Sequence, residues 1–299
     1  MTAHYTSIVG LGSMGFGMAQ SLLRAGHAVY GFDINPETTT KFVTEGGQSA
    51  TQLNAAEQSD CLVLVVLNAA QTEHVLFGDG GWAAQLKKGA TVIACATVAP
   101  EFAKDMAQRC EALGLQYLDA PISGGAAKAA EGKLSIMAAG QPTAFKGAAS
   151  VLDAMAETVF NLGCDVGAGS AMKAVNQLLA GVHIAAMAEA LTFGMTQGVS
   201  PEKFVEVISQ CAGTSWMLEN RAPHIVDGDY SPKSSVDIWP KDLGIILDIA
   251  KSAKFGAPLT AAALQQFLAA SGSGLGSQDD AAVAKVYARN AGLTLPGDT

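Results

Sequence analysis

Lys173, Asn176 and Gln177 stand at i, i+3 and i+4, so on a helix they share one face. The surrounding stretch, residues 171–195, is nearly all apolar. A lone lysine is usually a solvated charge, but three polar groups on one face of an apolar helix are better explained as the lining of a pocket. An amine in such a place can take a proton from a hydroxyl or return one, and the two amides offer donors and acceptors to a small polar ligand. Upstream, Asp119-Ala120-Pro121-Ile122-Ser123-Gly124-Gly125 follows a strand-like run. The Ser123 hydroxyl and the amides of Gly124 and Gly125 suit a carboxylate, although taken alone the segment fits an ordinary turn equally well.

A second chemistry is written near the start. Gly10-Leu11-Gly12-Ser13-Met14-Gly15 follows a strand-like run and opens a helix. Gly10 permits the tight turn, Gly12 lets the backbone approach a pyrophosphate, and Gly15 lets helix and strand pack closely. The amides and dipole of the helix N-terminus favour the anion. The next strand ends in Asp33, about twenty residues on, where a carboxylate accepts hydrogen bonds from the adenosine ribose. The same charge repels a 2′-phosphate, and Ile34-Asn35-Pro36 supplies no arginine to hold one. NAD is therefore expected over NADP, and the later motifs do not suit FAD.

These residues need a frame. Strands are expected at 7–9, 28–32, 61–67, 91–95, 116–118, 135–138 and 159–162, alternating with helices near 14–25, 37–44, 100–113 and 143–155. Such alternation makes a parallel sheet covered on both faces. Gly26, Gly46 and Gly114 follow helices, whereas Pro100 and Pro142 open them, as helix ends favour. Beyond Gly163 strand-like runs nearly vanish, and helices are expected at 170–197, 201–211, 216–221, 239–254 and 259–271. The predicted fold is α/β: a Rossmann dinucleotide-binding domain over 1–165, then an all-helical substrate and oligomerisation domain over 166–299, joined by a long interdomain helix. Residues 272–277, rich in Gly and Ser, are expected to form a flexible loop, and 292–299 to fray.

Composition narrows the partners. The 299 residues are 49% hydrophobic and 15% charged, with a net charge of −9 and a pI near 5.0. That balance argues against disorder and against phosphate-backbone binding, so no nucleic-acid partner is expected. Five cysteines (Cys61, Cys95, Cys110, Cys164, Cys211) and five histidines form no ligand-spaced pair. No metal is expected, and the cysteines read as buried free thiols in a reducing compartment. Lys173, Asn176, Gln177, His183 and Glu189 interrupt the 171–195 run. A buried helix is thus expected rather than a membrane span, and the location expected is the cytoplasm. His183, Trp216 and Trp239 are expected to serve packing.

Together the motifs resemble the β-hydroxyacid dehydrogenase family, which includes 3-hydroxyisobutyrate dehydrogenase and tartronate semialdehyde reductase. The resemblance covers nearly the whole chain. It rests on the 10–15 fingerprint, Thr97 in Ala96-Thr97-Val98-Ala99-Pro100, the 119–125 loop, the Lys173 helix and Lys241-Asp242-Leu243-Gly244. It implies that Lys173 is the catalytic acid/base and that Ser123, Gly124 and Gly125 bind the substrate carboxylate, beside Asn176 and Gln177. It implies cofactor contacts at Thr97 and Lys241, to which Leu67 and Asn68 are added with Gly10, Gly12, Ser13, Met14, Gly15 and Asp33. It also implies a homodimer or homotetramer. Most members carry Asn-Asn where this chain has Asn176-Gln177. That departure, with the 178–184 and 213–221 segments, resembles the L-threonate-oxidising branch, which implies oxidation at C2 of a four-carbon sugar acid.

Other readings meet obstacles. 3-Hydroxyisobutyrate dehydrogenase or tartronate semialdehyde reductase activity is the nearest alternative. Imine reductases generally replace the lysine that this chain keeps. A phosphogluconate-type enzyme needs a Lys/Arg cluster that is not evident. A non-catalytic NAD-binding module is disfavoured by the retention of Ser123, Lys173 and Lys241.

Overall fold

The computed structural model describes residues 4–298 and divides into two compact units, Met1–Lys173 and Ala174–Thr299. In the first, the chain runs β1 (Tyr5–Val9), α1 (Gly15–Arg24), β2 (Ala28–Phe32), α2 (Pro36–Thr44), α3 (Gln52–Gln58), β3 (Cys61–Leu64), α4 (Ala69–Phe77), β4 (Thr91–Ala94), α5 (Pro100–Ala112) and β5 (Gln116–Asp119). The strands form a parallel sheet in the order β2-β1-β3-β4-β5. Alternate residues feed two cores: Ile8, Val63, Ile93 and Leu118 on one face, Leu62, Leu64, Val92 and Tyr117 on the other. Burial on both faces explains the continuous apolar runs of β3 and β4.

A smaller sheet follows. It comprises β6 (Ile122–Ser123), β7 (Leu134–Ala138) and β8 (Ala156–Asn161), with α6 (Gly125–Glu131) and α7 (Pro142–Met155) between them. β6 runs antiparallel to β7, and β7 parallel to β8. Asp119 at the end of β5 exchanges backbone hydrogen bonds with Ala139, at 3.0 and 2.9 Å, and so ties the two sheets together.

The longest helix, α8 (Ala168–Thr196), holds the division between the units. The second unit continues through α9 (Pro201–Ile208), α10 (Trp216–Asp227), α11 (Ile238–Ser252), α12 (Pro258–Ala270) and α13 (Ala284–Asn290). Ser200 and Ser215 cap α9 and α10 by accepting from Lys203 N–H and Leu218 N–H, which satisfies donors a helix start leaves open. Ile184, Leu191, Leu218, Trp239, Leu243 and Phe267 belong to its core.

Several expectations are corrected. The third strand stops at Leu64, and 65–67 are loop. α3, α4, α6 and α13 were not foreseen, and α10 runs through Pro223 to Asp227. Ser271–Leu275 is a wide helical turn broken at Gly274, not an open loop. The tail is packed: Leu295 is buried and Lys285 pairs with Asp298 at 2.7 Å; Thr299 lies outside the described residues. α8 is long and apolar enough to cross a membrane by length and composition, with 39% of its apolar window buried. It buries one side only, since Met172, Val175, Leu179 and Phe193 are exposed. Cys61, Cys95 and Cys110 are buried free thiols, whereas Cys164 and Cys211 are exposed.

Candidate active site

Parallel pairing sends every loop that follows β1–β5 to one edge of the large sheet. The strand order reverses direction between β1 and β3, where such sheets open a ligand crevice. Gly10 follows β1, Asp33 follows β2, Leu67 and Asn68 lie beyond β3, and Thr97 lies in the half-buried loop after β4. The structure thus brings the expected cofactor residues of the first unit to one edge.

The glycine loop has the geometry its sequence demands. Gly10 has φ +93°, and a Cβ there would lie 2.3 Å from the Val65 carbonyl oxygen. A Cβ at Gly15 would lie 1.9 Å from the Gly10 oxygen, yet one at Gly12 would meet nothing within 4 Å. The loop is closed toward the protein and open over Gly12. Ser13 is exposed and Met14 half-buried. No side chain caps α1 at Met14, so the first-turn amides remain available to an anion. A dinucleotide pyrophosphate fits this cradle.

Asp33 has a task the sequence did not disclose. Its Oδ2 accepts from Leu11 N–H at 2.7 Å and its Oδ1 from Asn35 N–H at 2.8 Å. It therefore fixes the glycine loop and the start of α2 while keeping acceptor capacity for ribose hydroxyls. Asn68 caps α4 by accepting from Gln71 N–H at 2.9 Å, and Leu67 N–H donates to Gln71 Oε1 at 2.8 Å.

Still within the first unit, Lys173 is buried and its Nζ donates to the Ile122 carbonyl at 2.8 Å. Lys173 thereby meets the strand that carries Ser123. Gly124, at φ +135°, and Gly125 turn the chain from that strand into α6. Asp119, 1% exposed, opens the same segment. Its Oδ2 accepts from Gly167 N–H and Ser170 N–H at 3.0 and 2.8 Å, and its Oδ1 from Ser170 Oγ at 2.6 Å. Burial raises the Asp119 carboxyl above the usual carboxylate value, against the pull of these hydrogen bonds.

In the second unit, Gln177 is buried and its Nε2 donates to Asp242 Oδ2 at 2.6 Å. Asn176 Nδ2 donates to Gln177 Oε1 at 3.0 Å, and Lys241 Nζ pairs with Asp242 Oδ1 at 2.7 Å. A Cβ at Gly181, one turn past Gln177, would come within 2.9 Å of Trp239. This missing side chain lets α11 approach α8 closely enough for Gln177 to meet Asp242. In the sequence, the one signal for Asp242 is its place in Lys241-Asp242-Leu243-Gly244. His183 lines a separate cavity of about 410 Å³ with Met187, Phe204, Ile208 and Leu218. Trp239 is core, whereas Trp216 is 59% exposed. Among the described residues no three His, Cys, Asp or Glu side chains cluster to hold a metal.

A glycine cradle at the switch point of a parallel sheet and a buried lysine beside the strand that leads into a Ser-Gly-Gly turn define a nicotinamide-dependent dehydrogenase. Comparison with known proteins agrees. Residues 6–163 match the NAD binding domain of 6-phosphogluconate dehydrogenase, and residues 167–287 the NAD-binding domain of NADP-dependent 3-hydroxyisobutyrate dehydrogenase. The chain is 50% identical over 291 residues to L-threonate dehydrogenase of Cupriavidus necator, covering 97% of each. It is 35% identical to 3-hydroxyisobutyrate dehydrogenase of Pseudomonas aeruginosa, covering 87% of this chain and 90% of that one. A crystal structure of 3-hydroxyisobutyrate dehydrogenase from Salmonella typhimurium is 45% identical, with a TM-score of 0.89, over 95% of this chain and 99% of that one. The chain belongs to the β-hydroxyacid dehydrogenase family and is an NAD-dependent hydroxyacid dehydrogenase.

Proposed function

We propose that the enzyme oxidises L-threonate at C2 to the 2-oxo acid, 2-dehydro-L-erythronate, with Lys173 as general base. The observation that carries the substrate is the Asp242–Gln177–Asn176 hydrogen-bond chain, buried at Asp242 and Gln177 and half-buried at Asn176. It presents oriented amide groups to a ligand that has hydroxyls to offer. The relatives named L-threonate dehydrogenase support the same reading. 3-Hydroxyisobutyrate lacks the extra hydroxyls, and a site built to hydrogen-bond a substrate rejects an analogue without those groups.

Ser123 Oγ and the amides of Gly124 and Gly125 hold the carboxylate in this reading, and Asn176 and Gln177 hold the chain hydroxyls. Lys173 takes the C2 hydroxyl proton, and its bond to the Ile122 carbonyl aims Nζ. NAD, when bound, supplies the acceptor for the hydride that leaves C2. Gly10, Gly12, Ser13, Met14 and Gly15 hold its pyrophosphate. Asp33 binds the adenosine ribose and disfavours NADP, while Leu67, Asn68, Thr97 and Lys241 complete the cofactor contacts. The domain limits proposed are 1–165 and 166–299. A homodimer or homotetramer, located in the cytoplasm, is proposed; the exposed apolar side of α8 supports the association, and light scattering measures it.

The test is NADH formation with a panel of hydroxy acids of three to six carbons. L-Threonate is expected to give the highest kcat/KM. A clear preference for 3-hydroxyisobutyrate or a glycerate overturns the assignment.

A further inference from the structure

We propose that Asp119 is a positioning residue for the reaction: it pins the first turn of α8 to the end of β5, and so holds Lys173 at the Ile122 carbonyl. This rests on the reading of Lys173 as the base.

Three observations converge. The Asp119 carboxylate accepts from Gly167 N–H, Ser170 N–H and Ser170 Oγ. Its two oxygens thus satisfy amides that a helix start leaves open, reached across 51 residues of chain for Ser170. The first turn is also pressed onto this carboxylate. A Cβ at Gly169 would lie 2.5 Å from the Asp119 and Met137 carbonyl oxygens and 3.1 Å from Asp119 Cγ, so only glycine admits this approach. Finally, Lys173 stands three residues after Ser170, and its amine returns to Ile122, three residues after Asp119. The segment 119–122 therefore grips α8 at both ends of one helical turn.

The closed loop has a mechanical consequence. A side chain as long as lysine samples many rotamers, and a proton acceptor must stay within hydrogen-bond reach of the reacting hydroxyl. Fixing the helix start sets the Lys173 Cα relative to the strand that carries Ser123. Asp119 itself needs no contact with substrate or cofactor to do this. Loss of the anchor lets the first turn of α8 shift, and a displacement of about 1 Å costs on the order of 10²-fold in rate.

The experiment is a double-mutant cycle in the full-length enzyme, with L-threonate as substrate and NAD+ affinity measured separately. Asp119→Ala is expected to lower kcat by about 10²-fold and to leave the NAD+ dissociation constant and the KM for L-threonate unchanged. Asp119→Asn keeps an oxygen for the two amides and an NH2 that can donate to Ser170 Oγ, so it is expected to recover most of the loss. In a Lys173→Met background the Asp119→Ala change is expected to add little, because its effect runs through the lysine. Should Asp119→Ala fail to fold, Ser170→Ala removes one bond of the anchor, and its smaller loss is likewise expected to vanish in the Lys173→Met background. Losses that multiply in either cycle, or an Asp119→Ala enzyme with normal kcat, overturn the proposal. Near-normal turnover by Lys173→Met alone instead overturns the reading of the base, and takes this inference with it.

Discussion

Replacing Gln177 with Asn is the most informative perturbation of the substrate side. The side chain loses one methylene, and its amide nitrogen withdraws from Asp242 Oδ2, now 2.6 Å away. Asp242 is 2% exposed, so water does not readily replace the lost donor. A hydrogen bond to a charged group contributes about 1.5–3 kcal/mol. If the bond serves to orient the amides for the substrate, that energy appears in transition-state binding. At 1.4 kcal/mol per decade it corresponds to a fall of roughly 10- to 150-fold in kcat/KM for L-threonate. The Asn176 amide, which now donates to Gln177 Oε1 at 3.0 Å, loses its orienting partner in the same change. The assay is initial-rate NADH formation with L-threonate and 3-hydroxyisobutyrate side by side, together with thermal unfolding to separate function from stability. L-Threonate turnover is expected to fall more than any 3-hydroxyisobutyrate activity. An unchanged ratio between the two substrates refutes the reasoning.

Lys173→Met is expected to cost about 10²–10⁴-fold in kcat with NAD+ binding retained, as followed by fluorescence titration. Asp33→Ser is expected to narrow the preference for NAD+ over NADP+ in kcat/KM by removing the charge near the 2′ position. It also leaves Leu11 N–H without its carboxylate, so NAD+ binding is expected to weaken. Gly15→Ala places a methyl against the Gly10 carbonyl oxygen and is expected to abolish cofactor binding, as measured by calorimetry. Thiol titration of the native enzyme is expected to label Cys164 and Cys211 quickly. Cys61, Cys95 and Cys110 should react only after unfolding, because burial pushes each thiol up to about 12.

The sheet was legible because strands buried on both faces print continuous apolar runs, as Cys61–Leu64 and Thr91–Ala94 do. Pro100 and Pro142 marked the starts of α5 and α7. α3 and α4 are short helices that bury only two residues each and so leave a weak periodic signal. α6 was hidden by glycines at both ends, which read as loop. Within the site, the fingerprint, the Ser-Gly-Gly turn and the polar helical face were each visible as local spacings. The partners of Asp119, Asp33 and Gln177 were not. Those bonds span 48 and 51, 22, and 65 residues, and no local pattern encodes which distant amide a carboxylate meets.

One acceptor that anchors the Lys173 amine is a main-chain carbonyl, that of Ile122. No point substitution at position 122 can delete it, because every residue brings the same oxygen. In the proposed reading, this part of the base's anchorage is insulated from mutational drift, while selectivity rests on replaceable side chains such as Gln177. Apolar replacements at Ile122, whose side chain is buried in the core, should keep this acceptor in place, and libraries at Gln177 should redirect which acid is accepted.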